Sequence, residues 1–156
     1  MRGEFLAAWT LFLENRFRHG RPGYEVITPL RLESGRGVLV NRGWLEKPEV
    51  GTPPGTVTVE GVFVPRVPRV MEAGPEKTGR VRQNVDIAAY AAETGLALEP
   101  RVLEQHSSAP DGLTREWPSA GPGAEKNAAY ALQWYSLAAL AAVLGLIFCF
   151  RRETAQ

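Results

Sequence analysis

The sequence predicts a mainly β (α+β) soluble domain, followed by one C-terminal transmembrane helix. The domain is expected to be a small antiparallel sheet or a partly open barrel with one short helix. Short apolar runs separated by Gly- and Pro-rich turns fill most of residues 1–106, which is typical of strands. A charge-free apolar run follows near the C-terminus. A length of 156 residues suits one domain with one further element.

Several runs predict strands. They lie at 23–33, 36–42 and 57–63, with weaker candidates at 10–17 and 100–106. Apolar and polar residues alternate in the first run, as in a strand with one buried face. The second run is apolar on both faces, which predicts a central strand. The short Ser- and Gly-containing turn between these two runs predicts that they form a hairpin.

Particular residues in and near these runs predict local irregularities. Pro29 cannot donate to a strand ladder, so it predicts an edge strand or a bulge. An unpaired edge there would be an alternative docking site for a partner strand. Gly61 predicts a bulge or a close backbone approach. The apolar residues 5–13 have the length of a signal sequence but no small-residue cleavage site follows them, so they are predicted to form one or two strands.

One short helix is predicted between the strands. Asp86 is a suitable N-cap residue, and Gly95 can end the helix in the left-handed conformation. Ile87, Tyr90 and Ala91 then lie on one face. Because the helix has only about two turns, it must pack on the sheet to be stable.

The C-terminal apolar run predicts a membrane span. Residues 130–150 carry no charged side chain, and at about 1.5 Å per residue they match the ~30 Å hydrocarbon core. The alternative is a buried core helix. Arg151 and Arg152 follow, which favours a cytoplasmic C-terminus. The predicted organisation is an extracytoplasmic domain, a Pro/Gly-rich linker, the transmembrane helix and a cytoplasmic tail, at 1–106, 107–127, 128–150 and 151–156.

Composition argues against several functions. The 18 basic and 17 acidic residues give a net charge of +1, which does not favour nucleic-acid binding. Cys149 is the single cysteine, so there is no internal disulfide and no cysteine cluster for zinc. His19 and His106 are the only histidines, and no metal-ligand spacing is found. No nucleophile–base pair or phosphate loop is recognised, so the chain is not expected to be an enzyme.

Three segments together resemble a known family. The stretches "GYEVITPLRL", "GRGVLVNRGWL" and "YALQWYSLA" occur in this order, with shorter matches at "RGEF", "DIAAYAAETGL" and "EWP". They are similar to the Surfeit locus protein 1 family over nearly the whole chain. The resemblance implies a membrane assembly factor for haem–copper cytochrome c oxidase that helps to insert or stabilise haem a in subunit I. It also implies a β-rich extracytoplasmic domain between two membrane helices.

The chain departs from the family pattern at two places. Met1 falls where the family's first strand begins, so we expect that an upstream start was missed or removed and that the family's N-terminal membrane helix is absent from this sequence for that reason. Asn127 stands where the family carries a histidine that is the suspected axial ligand of haem. Because an amide does not replace imidazole at haem iron, the sequence argues against haem ligation through this position. His19 and His106 are more typical of surface loops, but either is an alternative ligand.

The stretch Asn41-Arg42-Gly43-Trp44 is the first candidate site, because it follows a wholly apolar strand. In one interpretation it is structural, with Gly43 making a turn and Trp44 covering the end of the sheet. In the other, Arg42 holds a carboxylate of haem or of an acidic partner, and Trp44 forms an apolar wall.

Tyr130, Gln133 and Trp134 form the second candidate site, on one face of the predicted C-terminal helix. They are either an interfacial aromatic belt or a face that packs on the oxidase subunit or borders a haem pocket. The arginine-rich segment 65–82 is expected to be a solvated loop, or else to meet lipid headgroups or haem propionates.

These interpretations combine into one functional prediction. The chain is expected to be a membrane-anchored chaperone or scaffold for cytochrome c oxidase that assists the insertion of haem a into subunit I. Its expected partners are subunit I, the machinery that delivers haem a, and the lipid bilayer, with haem a bound transiently. Its expected location is the cell (inner) membrane, with the domain on the extracytoplasmic side. The alternative is a membrane-tethered protein-binding module for another envelope complex, without haem handling.

Overall fold

A computed structural model of the chain describes residues 1–71, 79–117 and 130–144. The chain divides into two compact units, Met1–Glu116 and Trp117–Gln156. The described elements of the first unit are β1 (Arg2–Phe5), a 3₁₀ turn (Ala7–Trp9), β2 (Leu11–Arg18), β3 (Arg21–Leu32), β4 (Gly37–Leu45), β5 (Thr56–Thr58), β6 (Gly61–Val64), β7 (Val81–Arg82), α1 (Ile87–Thr94) and β8 (Leu98–Gln105).

The strands form one mainly antiparallel sheet. Its main path has the order β5-β1-β3-β4-β8-β6, and β2 pairs with both β3 and β7. Among the described strands, the β4–β8 and β2–β7 pairs are parallel. The two end strands of the path, β5 and β6, are separated along the chain by just Val59 and Glu60. The sheet therefore curves until its ends approach each other, and the domain is a half-barrel.

The predicted single strand at 57–63 is divided between the two ends of the sheet. Its first part is in β5, which pairs with β1, and its second part is in β6, which pairs with β8. Gly61 begins β6 at a close approach, because a Cβ atom there would overlap the carbonyl oxygen of Glu104. Period-two patterning does not distinguish one long strand from two short ones that change partner.

Strand β3 is central although it contains Pro29. β4 pairs along one side of β3, and on the other side β2 pairs with its first half and β1 with its end. Pro29 lies where the neighbour changes from β2 to β1, and its carbonyl accepts a hydrogen bond from Leu6 N at 2.9 Å. The missing N–H of Pro29 therefore falls at a gap in the ladder. It does not mark an edge strand.

Two of the three apolar clusters found among the described residues lie on opposite faces of strand β4. Leu39 of β4 belongs to one core, while Val38 and Val40 belong to the other. All three side chains are fully buried. Neighbouring residues in a strand point to opposite faces, so the run that is apolar on both faces is a central strand, as its pattern predicts.

Helix α1 packs on the first of these cores. Asp86 accepts a hydrogen bond from Ala89 N at 2.9 Å, and Gly95 is left-handed with φ of 70°. Tyr90 is buried and donates its hydroxyl hydrogen to the carbonyl of Trp9. Burial raises the pKa of Tyr90 to about 12. The capping residues and the buried face are those that the sequence indicates.

The prediction of a transmembrane helix at 128–150 is wrong. In the ranges 1–71, 79–117 and 130–144, no helix is long and apolar enough to cross a membrane. The remaining residues of the predicted span lie outside the described residues.

Candidate functional site

The stretch Asn41-Arg42-Gly43-Trp44 forms a β-bulge. Strand β4 does not turn at Gly43 but continues to Leu45. The ladder pairs Val26 with Gly43 and Ile27 with Asn41, so Arg42 is the extra residue. Gly43 has φ of 137°, and a Cβ atom there would lie 2.8 Å from the carbonyl oxygen of Thr114. The backbone conformation and the close approach both require glycine.

Arg42 is fully buried next to this bulge. Its guanidinium donates to Gly51 O at 2.9 Å, to Thr52 Oγ1 at 3.1 Å and to Asp111 Oδ2 at 3.1 Å. It also lies 4.9 Å from the ring centroid of Phe5. Burial lowers the pKa of Arg42, and the carboxylate of Asp111 opposes this shift. The guanidinium thus connects the bulge to the loop that follows β4, at residues 51–52, and to Asp111, which lies 69 positions further along the chain.

Asp111 is shared by two arginines. Arg115 Nη2 donates to Asp111 Oδ2 at 2.6 Å, alongside the contact from Arg42. The side chains of Asp111 and Arg115 are 7% and 11% exposed, so the group is largely shielded from solvent. Burying a carboxylate costs desolvation free energy. Two cationic partners offset this cost by their opposite charge and by their hydrogen bonds. The carboxylate that Arg42 contacts in this structure is therefore that of Asp111, inside the domain.

A second buried ionic group lies on β2, β3 and β4. Glu25 accepts a hydrogen bond from Arg18 Nη2 at 2.7 Å and one from Asn41 Nδ2 at 3.3 Å, and Arg16 Nε lies 3.7 Å away. Asn41 pairs with Glu104 across the parallel β4–β8 ladder. Burial, and then the carboxylate of Glu25, raises the pKa of Glu104.

Trp44 links the bulge to the second ionic group. Its ring is buried, and its Nε1 donates to the carbonyl of Arg16 at 2.8 Å. The ring covers Gly23, where a Cβ atom would overlap the indole. Trp44 also forms an isolated bridge with Thr114. The indole is thus both an apolar cover and a hydrogen-bond donor.

The remaining predicted residues belong to the second unit. Tyr130, Gln133 and Trp134 lie in the helical residues 130–144, and all three side chains are exposed. Their spacing places them on one face of that helix. Arg42 and Trp44 both lie on β4 in the first unit, but their side chains have different partners. The proposed contacts of all five residues with haem or a partner stay predictions.

The two histidines lie at different places in the first unit. His19 is exposed at the β2–β3 turn, and its Nε2 lies 2.6 Å from Glu116 Oε2. His106 follows β8, and its backbone N donates to Glu60 O at 2.8 Å. Asn127 lies outside the described residues, as does Cys149. Within the described ranges, no group of three or more His, Cys, Asp and Glu side chains is placed to hold a metal ion.

Sequence reasoning missed Glu25, Asp111 and Arg16. Glu25 occupies a polar position of an alternating strand, which normally predicts exposure. Asp111 lies in the Pro- and Gly-rich segment that composition assigns to the linker, whereas the first unit extends to Glu116. A signal was present, because an arginine inside a wholly apolar strand requires a buried carboxylate partner.

Comparison with known proteins decides the family. The family model described as the SURF1 family matches residues 1–139, which include the whole half-barrel. This chain belongs to the SURF1 family. An uncharacterized SURF1-like protein of Mycobacterium bovis is 28% identical over 152 residues, covering 90% of this chain and 55% of that protein. An uncharacterized SURF1-like protein of Mycobacterium tuberculosis matches to the same extent.

The chain spans about half the length of these curated relatives, at 55%. No solved structure matches it significantly. The family resemblance found in "GYEVITPLRL" and "GRGVLVNRGWL" is confirmed, and both segments lie within the matched residues. The SURF1 family is known generally for cytochrome oxidase assembly factors.

Proposed function

We propose that this chain assists the assembly of cytochrome c oxidase as a scaffold or chaperone. The match of the SURF1 family model to residues 1–139 carries the proposal. The half-barrel supports it because its buried ionic groups fix loops 51–52 and 111–115 against the sheet. Such a rigid domain is suited to docking on a partner without rearrangement. The proposed location is the extracytoplasmic side of the cell membrane.

In this proposal the partner is subunit I of the oxidase, and haem a is the cargo that the complex receives. The face of Tyr130, Gln133 and Trp134 is the proposed contact surface. Two exposed aromatic rings beside an amide combine apolar area with hydrogen-bonding capacity, which is typical of protein interfaces. Tyr130 and Trp134 are 63% and 70% exposed, so their rings are available to a partner.

Copurification tests this function. A tagged chain expressed at its native level should retain subunit I, and the triple variant Tyr130→Ala/Gln133→Ala/Trp134→Ala should retain several-fold less. The matched control is Leu132→Ala/Tyr135→Ala, which removes exposed apolar side chains from the opposite face of the same helix. Equal loss in both variants would contradict a specific face. Failure of the unmodified chain to retain subunit I would contradict the proposed partner.

A second function is favoured by two observations. The guanidinium of Arg42 already has a carboxylate partner in Asp111, and Asn127 stands where the family resemblance implies a histidine ligand of haem. Both support a protein-binding module for another envelope complex, without haem handling. Titration of the purified chain with haem, followed by its Soret absorption, separates the two functions. A saturable one-to-one shift would favour haem handling, and the absence of a shift would favour the binding module.

A further inference from the structure

A cleft beside helix α1 is not used by the function proposed above. It has a volume of about 400 Å³, within the ~300–1,000 Å³ typical of small-molecule pockets. One wall is α1, one is the segment 65–69, and the start of β8 completes it. The described lining is mostly apolar, and the charged side chains among the described lining residues are Arg66, Arg69 and Asp86.

The two arginines are displayed by a short repeat. Residues 65–70 read Pro-Arg-Val-Pro-Arg-Val. In an extended segment with about three residues per turn, side chains three apart point in the same direction. Both Arg66 and Arg69 line the cleft, and Val67 between them is buried in the core.

The chain holds this repeat firmly in place. Asn84 Oδ1 accepts from Val70 N and Asn84 Nδ2 donates to Val70 O, each at 2.9 Å. Arg16 Nη1 donates to the carbonyl of Pro68 at 2.7 Å. The backbone that carries the two cleft arginines is therefore anchored by side chains from β2 and from the segment before α1.

Among the described residues that line the cleft, two positive charges stand against one negative charge. Neither Arg66 nor Arg69 has a hydrogen-bond or ion-pair partner in the part of the chain that the structure describes. Asp86 is engaged as the cap of α1, where it accepts from Ala89 N at 2.9 Å. Two unpartnered guanidiniums above an apolar trough are complementary to a molecule with a carboxylate and an apolar body.

We propose that this cleft binds the carboxylate of a medium-length acyl chain. The carboxylate is held by Arg66 and Arg69, and the acyl chain lies along Ile87, Ala91 and Leu98. Small side chains on α1 leave the trough open, since Ala88 and Ala91 face it. This binding does not depend on the role in oxidase assembly.

Calorimetric titration of the full chain with decanoate, in detergent-free buffer, tests the proposal. We expect saturable one-to-one binding that weakens at least tenfold in Arg66→Gln/Arg69→Gln. The control Arg2→Gln/Arg21→Gln removes two exposed arginines that do not line the cleft, and it should bind as the unmodified chain does. Decanoate binding that is equal in all three proteins would overturn the proposal.

A second pair of variants tests the apolar part. Ala91→Leu fills the trough and should weaken binding at least tenfold, whereas Ala92→Leu on the exposed face of α1 should leave it unchanged. Equal weakening by both variants would overturn the assignment to this cleft. Decyltrimethylammonium should not bind. Tighter binding of decyl phosphate than of decanoate would overturn the choice of a carboxylate.

Discussion

Replacing Asp111 by asparagine should destabilise the half-barrel strongly. The change keeps the shape of the side chain but removes the charge that Arg42 and Arg115 share at 3.1 Å and 2.6 Å. The side chains of Arg42 and Asp111 are 1% and 7% exposed. Removing one partner of such a buried pair costs about 3–5 kcal/mol, because a buried charge is left uncompensated. We expect that loss in the free energy of unfolding.

Arg42→Met should cost less than Asp111→Asn. Asp111 keeps its contact with Arg115 in this variant, and methionine occupies part of the buried volume without a charge. This variant also remains informative if Asp111→Asn is too unstable to purify, since domains have only about 5–15 kcal/mol of stability. The control is Glu4→Gln, which removes the exposed pair with Arg31 and should cost about 1 kcal/mol or less.

The assay is urea denaturation followed by tryptophan fluorescence. The midpoint and the slope give the free energy of unfolding in water. The expected order of destabilisation is Asp111→Asn, then Arg42→Met, then Glu4→Gln. If Asp111→Asn and Glu4→Gln lose the same free energy, the argument that the bulge depends on a shared buried carboxylate is wrong.

Three further predictions concern backbone, charge and capping. Gly43→Ala should lose about 1–3 kcal/mol of unfolding free energy in urea denaturation, whereas Gly51→Ala, which has open space around it, should lose much less. Because burial raises the pKa of Glu104 in the folded state, this carboxyl binds more protons in the folded state, and its own contribution to stability should fall as pH rises above the ordinary glutamate range. In denaturation curves between pH 4 and 7, the stability of Glu104→Gln relative to the unmodified chain should therefore rise with pH, whereas that of Glu33→Gln, at an exposed position, should not. Asp86→Ala should lose about 1 kcal/mol by thermal or urea denaturation.

Local chemistry made much of the fold predictable. The N-cap at Asp86 and the left-handed Gly95 bound α1 where sequence reasoning placed it. The run Val38–Val40 is central because both of its faces are apolar. Each of these inferences depends on residues within one turn or one strand.

Long-range pairing was not predictable in the same way. Strands β5 and β6 lie at opposite ends of one sheet path because β5 pairs with β1 and β6 pairs with β8. A period-two pattern does not show which strands pair with each other. The bulge at Arg42 looked like a turn because glycine serves both structures. The partnership of Arg42 with Asp111 joins residues 69 positions apart. Apolarity alone likewise predicted a membrane span, and no helix in the described part of the chain is long and apolar enough to form one.

The central claim is most directly tested by the haem a content of the oxidase. The measurement is the reduced-minus-oxidised absorption spectrum of membranes from a strain that lacks this gene, compared with the same strain carrying a restored copy. We predict that the haem a band falls in the deletion strain and returns with the restored gene. An unchanged band in a strain without any other family member would contradict a role in oxidase assembly.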